Sequence, residues 1–475
     1  GVLLLESADS SEDEDLVKNW NRCQPRPLAG GSRVFVWGCR ACLPMCEVPE
    51  DQSDLRTPTE VPWFRKHAVL NHCAWRQLSF GPSFGVARSD RGDLFLWGSS
   101  MRKDGKGRQY LPPCRLNFKE DADARFQDVQ CSESAIWALT VEGDVVVWEM
   151  VPALIEERSA TSLQSRCTGG RRLGLSEAVM QMSVGVSHAA FLTKAGEVYC
   201  LGRNSCGECG VDPAVRNVAA TCTRVKFPRH CTPILRVECG RSHTVAVGAE
   251  GQVVSWGDDS KIQLGLGDTR SNVGEERPFT GSRGFINQRQ TGESMATASA
   301  FRGGPEFTGS ARAISTSQKK YGDYESHQQI KPTTMMDIPL ESERQVHGIP
   351  YPPPSDLKCG DDFTLLMVRD SPDWYPPEEE SQRVFCCGEN SRGQCGRSMQ
   401  QQQQVFAACK LPKNSQVLGF SCGSDHCLAV IRRVGARKQE LWCWGSNAHG
   451  QAGGTNNGCV CPAARLRLPK GTQVE

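Results

Sequence analysis

The sequence has no apolar run approaching the roughly 18–20 residues that a membrane-spanning helix needs, so no such span is expected. It also lacks charge imbalance. Its 55 Lys and Arg stand against 54 Asp and Glu, and a formal net charge of +1 exerts no global pull towards nucleic acid or anionic lipid. Catalytic signatures are missing too. There is no Gly-x4-Gly-Lys-(Ser/Thr) phosphate loop, no dinucleotide fingerprint in a strand–helix setting and no Gly-x-Ser-x-Gly elbow. Helical DNA-reading motifs and the aromatic signature of RNA-binding sheets are likewise missing. These absences point away from enzymes, so neither an enzymatic activity nor a cofactor is expected. Cysteine is frequent, at 24 in 475 residues, yet below the density of a small disulfide scaffold. Many cysteines sit inside hydrophobic strand-like runs and read as free thiols in a reducing compartment. The chain begins at Gly1 without an initiator Met, which we read as a trimmed or incomplete start, such as a removed targeting peptide leaves.

What the sequence does contain is a repeat. Five-residue runs ending in Trp-Gly or a near relative recur seven times: VFVWG (34–38), LFLWG (94–98), VVVWE (145–149), VYCLG (198–202), VVSWG (253–257), VFCCG (384–388) and LWCWG (441–445). Their last residues are spaced by 60, 51, 53, 55, 131 and 57, so one interval carries an insertion. A second half-motif precedes every copy but the first: LSFGPSFGVA (78–87), VQCSESAIWAL (129–139), MSVGVSHAAFL (182–192), VECGRSHTVAV (237–247), LKCGDDFTLLM (357–367) and FSCGSDHCLAV (420–430). Between the halves stand Gly92-Asp93, Gly143-Asp144, Gly196-Glu197 and Gly251-Gln252. Glycine at a tight turn between β-branched or aromatic runs specifies a hairpin.

Several copies continue as Asn-x-x-Gly-(Gln/Glu)-x-Gly: RNSCGECG (203–210), ENSRGQCG (389–396) and SNAHGQAGG (446–454), with the variant DDSKIQLGLGD at 258–268. The first three copies lack a clean version, and VVVWE has Glu149 in the glycine slot. One unit of this size cannot bury its apolar faces alone, whereas units set around an axis become β-propeller blades with short protected edges. The fold expected is therefore all-β: a seven-bladed β-propeller of about four-stranded blades, with a long insertion between blades five and six.

These half-motifs resemble those of the regulator of chromosome condensation repeat family. Its unit joins Cys-Gly-x-x-His-(Thr/Ser)-x-Ala-(Leu/Val), a glycine turn, and Val-(Tyr/Phe)-x-Trp-Gly-x-Asn-x-x-Gly-Gln-Leu-Gly. On this resemblance the structural repeat positions are Gly38, Gly98, Gly202, Gly257, Gly388 and Gly445, then Trp37, Trp97, Trp148, Trp256 and Trp444, then His188, His243 and His426. The histidines recur at one repeat position with no nucleophile–base–orienter set beside them. They are expected to tie a strand to a neighbouring loop. Phe84, Ala135 and Phe363 take their place in the other units.

Residues 1–32 form an acidic extension containing SADSSEDED (7–15), and 33–475 form the propeller, interrupted by an insertion at about 269–350. The glutamine run 400–404 reads as a low-complexity loop. The last residues, RLRLPKGTQVE, stand where a new first half-motif is due, so either the true C-terminus lies beyond Glu475, which is the reading favoured, or the first blade is incomplete. Two cysteine groups invite a metal reading. Cys206 and Cys209 fall inside the repeat loop, where Cys209 aligns with Cys395 and Ala452 as a small buried apolar residue. Cys39, Cys42 and Cys46 have only His67, His72 and Cys73 as nearby candidate partners, at unsuitable spacing. No metal is therefore assigned.

The function expected is a non-enzymatic interaction propeller: a scaffold, assembly factor or subunit of a large protein complex. Val34–Gly38 resembles the entry run of mitochondrial members, which implies the mitochondrial matrix, and a ribosome or respiratory-complex role. Nucleus or cytoplasm is the alternative. The partners expected are proteins, with RNA contact only inside a ribonucleoprotein. The founding nuclear activity, guanine-nucleotide exchange on a Ran-like small GTPase, is the alternative function. No partner-binding residue is legible.

Overall fold

The computed structural model describes residues 2–3, 33–44, 54–101, 108–159, 167–214, 218–249, 251–266, 328–334, 354–369, 382–399, 403–453 and 458–469. They form an all-β propeller whose blades are antiparallel sheets of about four strands. Six sheets of four or five strands run in chain order from Trp75 to Leu466. Before them stands a three-stranded sheet of Val2–Leu3, Phe35–Cys39 and Asp54–Glu60. There Val2–Leu3 pairs antiparallel with Phe35–Val36, the place that second strands take elsewhere.

Each full unit meanders outward in the same way. In the fourth, innermost Val179–Val184 pairs with His188–Thr193, that with Val198–Arg203, and that with outer Val218–Arg224. The turns between second and third strands are the expected glycine turns: Gly92, Gly143, Gly196 and Gly251 have φ of 79°, 100°, 78° and 85°. At the Trp-Gly pair the third strand bulges against the outer strand. The register breaks at Val36/Gly38, Leu96/Gly98, Cys200/Gly202, Ser255/Gly257, Cys386/Gly388 and Cys443/Gly445.

At five of these six bulges glycine takes a φ outside the ordinary strand region. Gly38, Gly202, Gly257, Gly388 and Gly445 have φ between 100° and 117°. At Gly257 a Cβ would stand 2.5 Å from the Ser242 carbonyl, which accepts a hydrogen bond from the next residue's amide, that of Asp258, at 2.8 Å. Glu149 cannot serve there, and the third unit departs accordingly. Its third strand stops at Trp148, and Met150 at φ 54° turns the chain into a helix, Val151–Ser159.

Three features differ from the sequence expectation. Two helices interrupt the all-β pattern: Val151–Ser159, and Pro62–Asn71, which begins on Pro62 and ends where His72 turns left-handed at φ 49°. The expected insertion between units five and six holds the outer strand of unit five, because Gln328–Thr334 pairs with Val253–Asp258. The extra chain thus falls inside a blade, before its outer strand. The glutamine run also ends as strand, since Gln403 and Gln404 begin outer strand Gln403–Ala408. Otherwise the acidic extension and most of the insertion lie outside the described residues.

The core lies between neighbouring sheets. Trp37, Trp97, Trp256 and Trp444 are almost fully buried, and each such side chain removes a large apolar area from water. One cluster joins Val34, Val36 and Trp37 of the first sheet to Leu428, Leu441 and Leu466 of the last. The two ends of the chain of sheets therefore meet through apolar packing.

Candidate functional site

The repeat positions converge on one structure, a latch between successive sheets. It is built on the loop that follows the Trp-Gly run. In unit six, Asn390 braces the loop from both sides: its Nδ2 donates to Ser398 O at 3.1 Å, and its Oδ1 accepts from Cys395 N at 2.9 Å. Gln394 folds back so that Oε1 accepts from Arg392 N at 2.9 Å. Asn204 and Glu208 in unit four, and Asn447 and Gln451 in unit seven, repeat both devices. The side chain thereby fixes the loop and leaves the Gln or Glu carbonyl aimed at the next sheet.

That carbonyl is held from the next sheet by the repeat tryptophan. Trp256 Nε1 donates to Glu208 O at 3.0 Å, Trp444 to Gln394 O at 2.9 Å, and Trp37 to Gln451 O at 2.9 Å, the last across the seam between final and first sheets. Trp97 uses Cys42 O at 2.9 Å. In unit six Cys387 replaces the tryptophan, and its thiol points at Gln263 O at 3.5 Å. Trp148 is the exception: its Nε1 is buried without a hydrogen-bond partner among the described residues.

A hydroxyl on the next sheet's second strand completes the latch. Thr244 Oγ1 donates to Glu208 O at 2.9 Å, and Thr364 Oγ1 to Gln263 O at 2.8 Å. The same hydroxyls meet the histidines, His188 Nε2 with Thr244 at 2.9 Å and His243 Nε2 with Thr364 at 3.1 Å. Because each threonine proton goes to a carbonyl, the imidazole must donate, so both rings carry their proton on Nε2. Nδ1 of each is buried without a partner among the described residues, and a second proton there would place an uncompensated charge in the core. Burial accordingly lowers His188 from the usual 6.5 to about 4 and His243 to about 3. His426 differs, with Asp425 at 3.9 Å from its Nδ1.

The histidines thus tie strand to strand, with the neighbouring loop reached through a threonine. Thr244 and Thr364 follow the repeat His243 and Phe363 directly, and that adjacency is the sequence signal that marks them.

The cysteine groups separate. Cys209 is buried, its thiol 3.2 Å from Arg203 O, in the slot that Cys395 and Ala452 fill in sister loops. Burial pushes its pKa well up. Cys42 points its thiol at Cys39 O at 3.3 Å. His67 instead stacks on Trp63 at 4.8 Å, and His72 caps its helix. Cys46 lies outside the described residues.

Two surfaces remain open to a partner. On the loop side, ion pairs cross from sheet to sheet: Lys261 with Glu389 at 3.0 Å, Arg392 with Asp425 at 3.6 Å, and Arg241 with Asp361. The innermost strands are zipped together by polar side chains. Gln77, Gln130 and Gln181 donate to Val129 O, Met182 O and Val237 O, and Lys358 pairs with Glu238 at 2.7 Å. On those strands Met180, Leu235 and Leu418 are exposed, each one residue after a buried Val179, Ile234 or Val417.

Comparison with known proteins assigns the architecture. A family model described as "Regulator of chromosome condensation (RCC1) repeat" matches residues 195–247 and 381–430, and a second model of that description matches 179–208 and 234–263. The probable E3 ubiquitin-protein ligase HERC3 of Homo sapiens is 29% identical over 209 residues, 42% of this chain and 19% of that protein. The guanine nucleotide exchange factor SRM1 of Saccharomyces cerevisiae is 24% identical over 313 residues, 55% of this chain and 62% of that protein. The chain thus spans less than two thirds of either relative. The crystal structure of human WBSCR16 superimposes with a TM-score of 0.58 at 17% identity, over 92% of this chain and 94% of that one, which is a likeness of fold. By the segments that match and by its sheets, the chain is a β-propeller that carries regulator of chromosome condensation repeats.

Proposed function

We propose that this chain is a non-enzymatic interaction propeller, seven-bladed with the three-stranded sheet as its first blade, that serves as scaffold, assembly factor or subunit of a larger protein complex. Met180, Leu235 and Leu418 carry the reading. They stand exposed at one matched position on three rigid innermost strands. Exposed aliphatics at a fixed site gain by losing water to a partner. The ion pairs on the loop side would supply the polar part of such an interface. The matrix of the mitochondrion, in ribosome or respiratory-complex assembly, is the setting proposed, with nucleus or cytoplasm as alternative. Its support is the Val34–Gly38 entry run.

Full-length tagged protein, cross-linked at its native level, should recover a complex of fixed stoichiometry. Leu235→Asp with Leu418→Asp should release that complex without altering the thermal midpoint. Recovery of a Ran-type GTPase alone would sink this reading. It would favour the second one, guanine-nucleotide exchange, which rests on the exchange-factor relative and is read by nucleotide release from a panel of small GTPases.

A further inference from the structure

We propose that Cys39, Asp54 and His449 form a zinc(II) site that staples the last sheet of the propeller to the first. Their ligand atoms, one thiol, one carboxylate and one imidazole, all lie within 4.8 Å of one another. Cys39 and Asp54 face each other as register partners on the third and outer strands of the first sheet. His449 comes from the final sheet's repeat loop, and its Nδ1 stands 3.0 Å from Asp54 Oδ2.

The three groups are held by backbone and loop contacts that a metal would use unchanged. Arg40 N donates to the other carboxylate oxygen, Asp54 Oδ1, at 3.1 Å, which orients the group as outer-shell donors do. His449 N donates to Gln451 Oε1 at 2.8 Å, and Trp37 Nε1 fastens Gln451 O at 2.9 Å. In tetrahedral zinc with N and O ligands about 2.0–2.1 Å away, the N···O edge is ~3.3 Å. The His449–Asp54 pair is already near that spacing, and Cys39 has to close in.

The donor set selects the ion. A thiolate beside an imidazole favours zinc over calcium or magnesium, and the thiolate and carboxylate together balance its two positive charges. Binding releases the Cys39 thiol proton to solvent, and the neutral His449 ring binds through Nδ1 with its proton on Nε2. Cys39 and Asp54 are half-buried and His449 is exposed, so the ion has an entry path and its fourth position is open to water. The neighbouring Cys42 turns its thiol instead to Cys39 O at 3.3 Å and is not part of the cluster.

The place is mechanically meaningful. The polar zipper along the innermost strands joins units two to six, and among the described residues the first sheet has no innermost strand. A cross-link at its outer loops would supply what the centre does not.

The test uses the full chain, stripped of metal and titrated with zinc chloride by calorimetry, with zinc content read by plasma mass spectrometry. Binding of one zinc per chain and a raised thermal midpoint are expected. Cobalt(II) in its place should show a thiolate charge-transfer band that Cys39→Ser abolishes. Cys39→Ser and His449→Ala should each weaken binding by more than the roughly 10–100-fold that loss of an outer-shell partner costs. Cys206→Ser should bind as the parent does. Absence of stoichiometric zinc, full retention by the Cys39→Ser/His449→Ala protein, or loss in Cys206→Ser would each overturn the proposal. Near-ultraviolet circular dichroism shows that each variant is folded before its affinity is compared.

Discussion

Units four to seven and units one to three are built from the same repeat but are held differently. In the later group each loop carbonyl, from Glu208 through Gln451, is taken by the next sheet through a tryptophan or thiol, and at Glu208 and Gln263 by a threonine as well. In the earlier group the Asn-x-x-Gly-Gln loop is missing. After Trp148 the helix Val151–Ser159 takes its place with Ile155 buried, while helix Pro62–Asn71 follows the first sheet's outer strand and buries Phe64. Around Phe64 the rings of Trp63, Trp75 and Trp97 meet edge-on at 5.0–5.6 Å, an apolar hold added to the hydrogen bond from Trp97 Nε1 to Cys42 O. The repeat therefore constrains the position of the sheets, and more than one chemistry can meet that constraint.

Substitutions can break this contrast. The largest expected effect is Trp256→Ala, which removes a buried ring and leaves Glu208 O with one donor fewer. Its cost should be about 3–5 kcal/mol. Trp148→Ala empties a similar volume but breaks no hydrogen bond, and should cost less by about 1 kcal/mol. Denaturant unfolding of the two variants checks the order, and equal losses would mean the latch adds nothing.

Next comes pH. His188 and His243 titrate lower in the folded chain than in the unfolded one, so the unfolded chain takes up protons first as pH falls. Their neutral-state stability is complete above about 6.5 and is lost as pH drops towards 4, by about 3 kcal/mol for His188. His188→Gln and His243→Gln should flatten the acid limb of a thermal-midpoint profile. The equivalent change at Ala135 or Phe84 sites has no counterpart, because no imidazole stands there.

The opposite limb of the pH profile concerns Asp259, which occupies the asparagine slot of its loop. Burial, with Asp258 beside it, raises it to about 7. A raised carboxyl favours the folded state in its protonated form, and that advantage declines as pH rises from its ordinary range through 7. Asp259→Asn should restore the sister-loop arrangement and raise the thermal midpoint at pH values above 7, with little change near pH 4. No change at pH 8 would show that the loop tolerates the ionised form.

Much of this was legible in the sequence, since the seven Trp-Gly runs set the sheet positions and Gly38, Gly202, Gly257, Gly388 and Gly445 marked the bulges. The repeat also recast Cys206 and Cys209 as loop residues. What escaped was whatever has no side-chain signature. The latch acceptors are main-chain oxygens, indifferent to residue type. Outer strand Gln328–Thr334 is mostly polar and sits far along the chain from Val253–Asp258, so no alternation announces it. Asp54 and His449 stand 395 positions apart and meet only because the ring closes.

The main-chain character of those acceptors has a further consequence. Within each loop the residues at 205, 391 and 448 stand beside the bracing Asn and take no part in presenting the carbonyl, and they are Ser, Ser and Ala. The hold on the loop passes through its backbone, so its tips can be exchanged without loosening the mount. Such a ring is a set of interchangeable fittings on fixed brackets. New recognition can be written onto its face one residue at a time while the frame beneath keeps its shape.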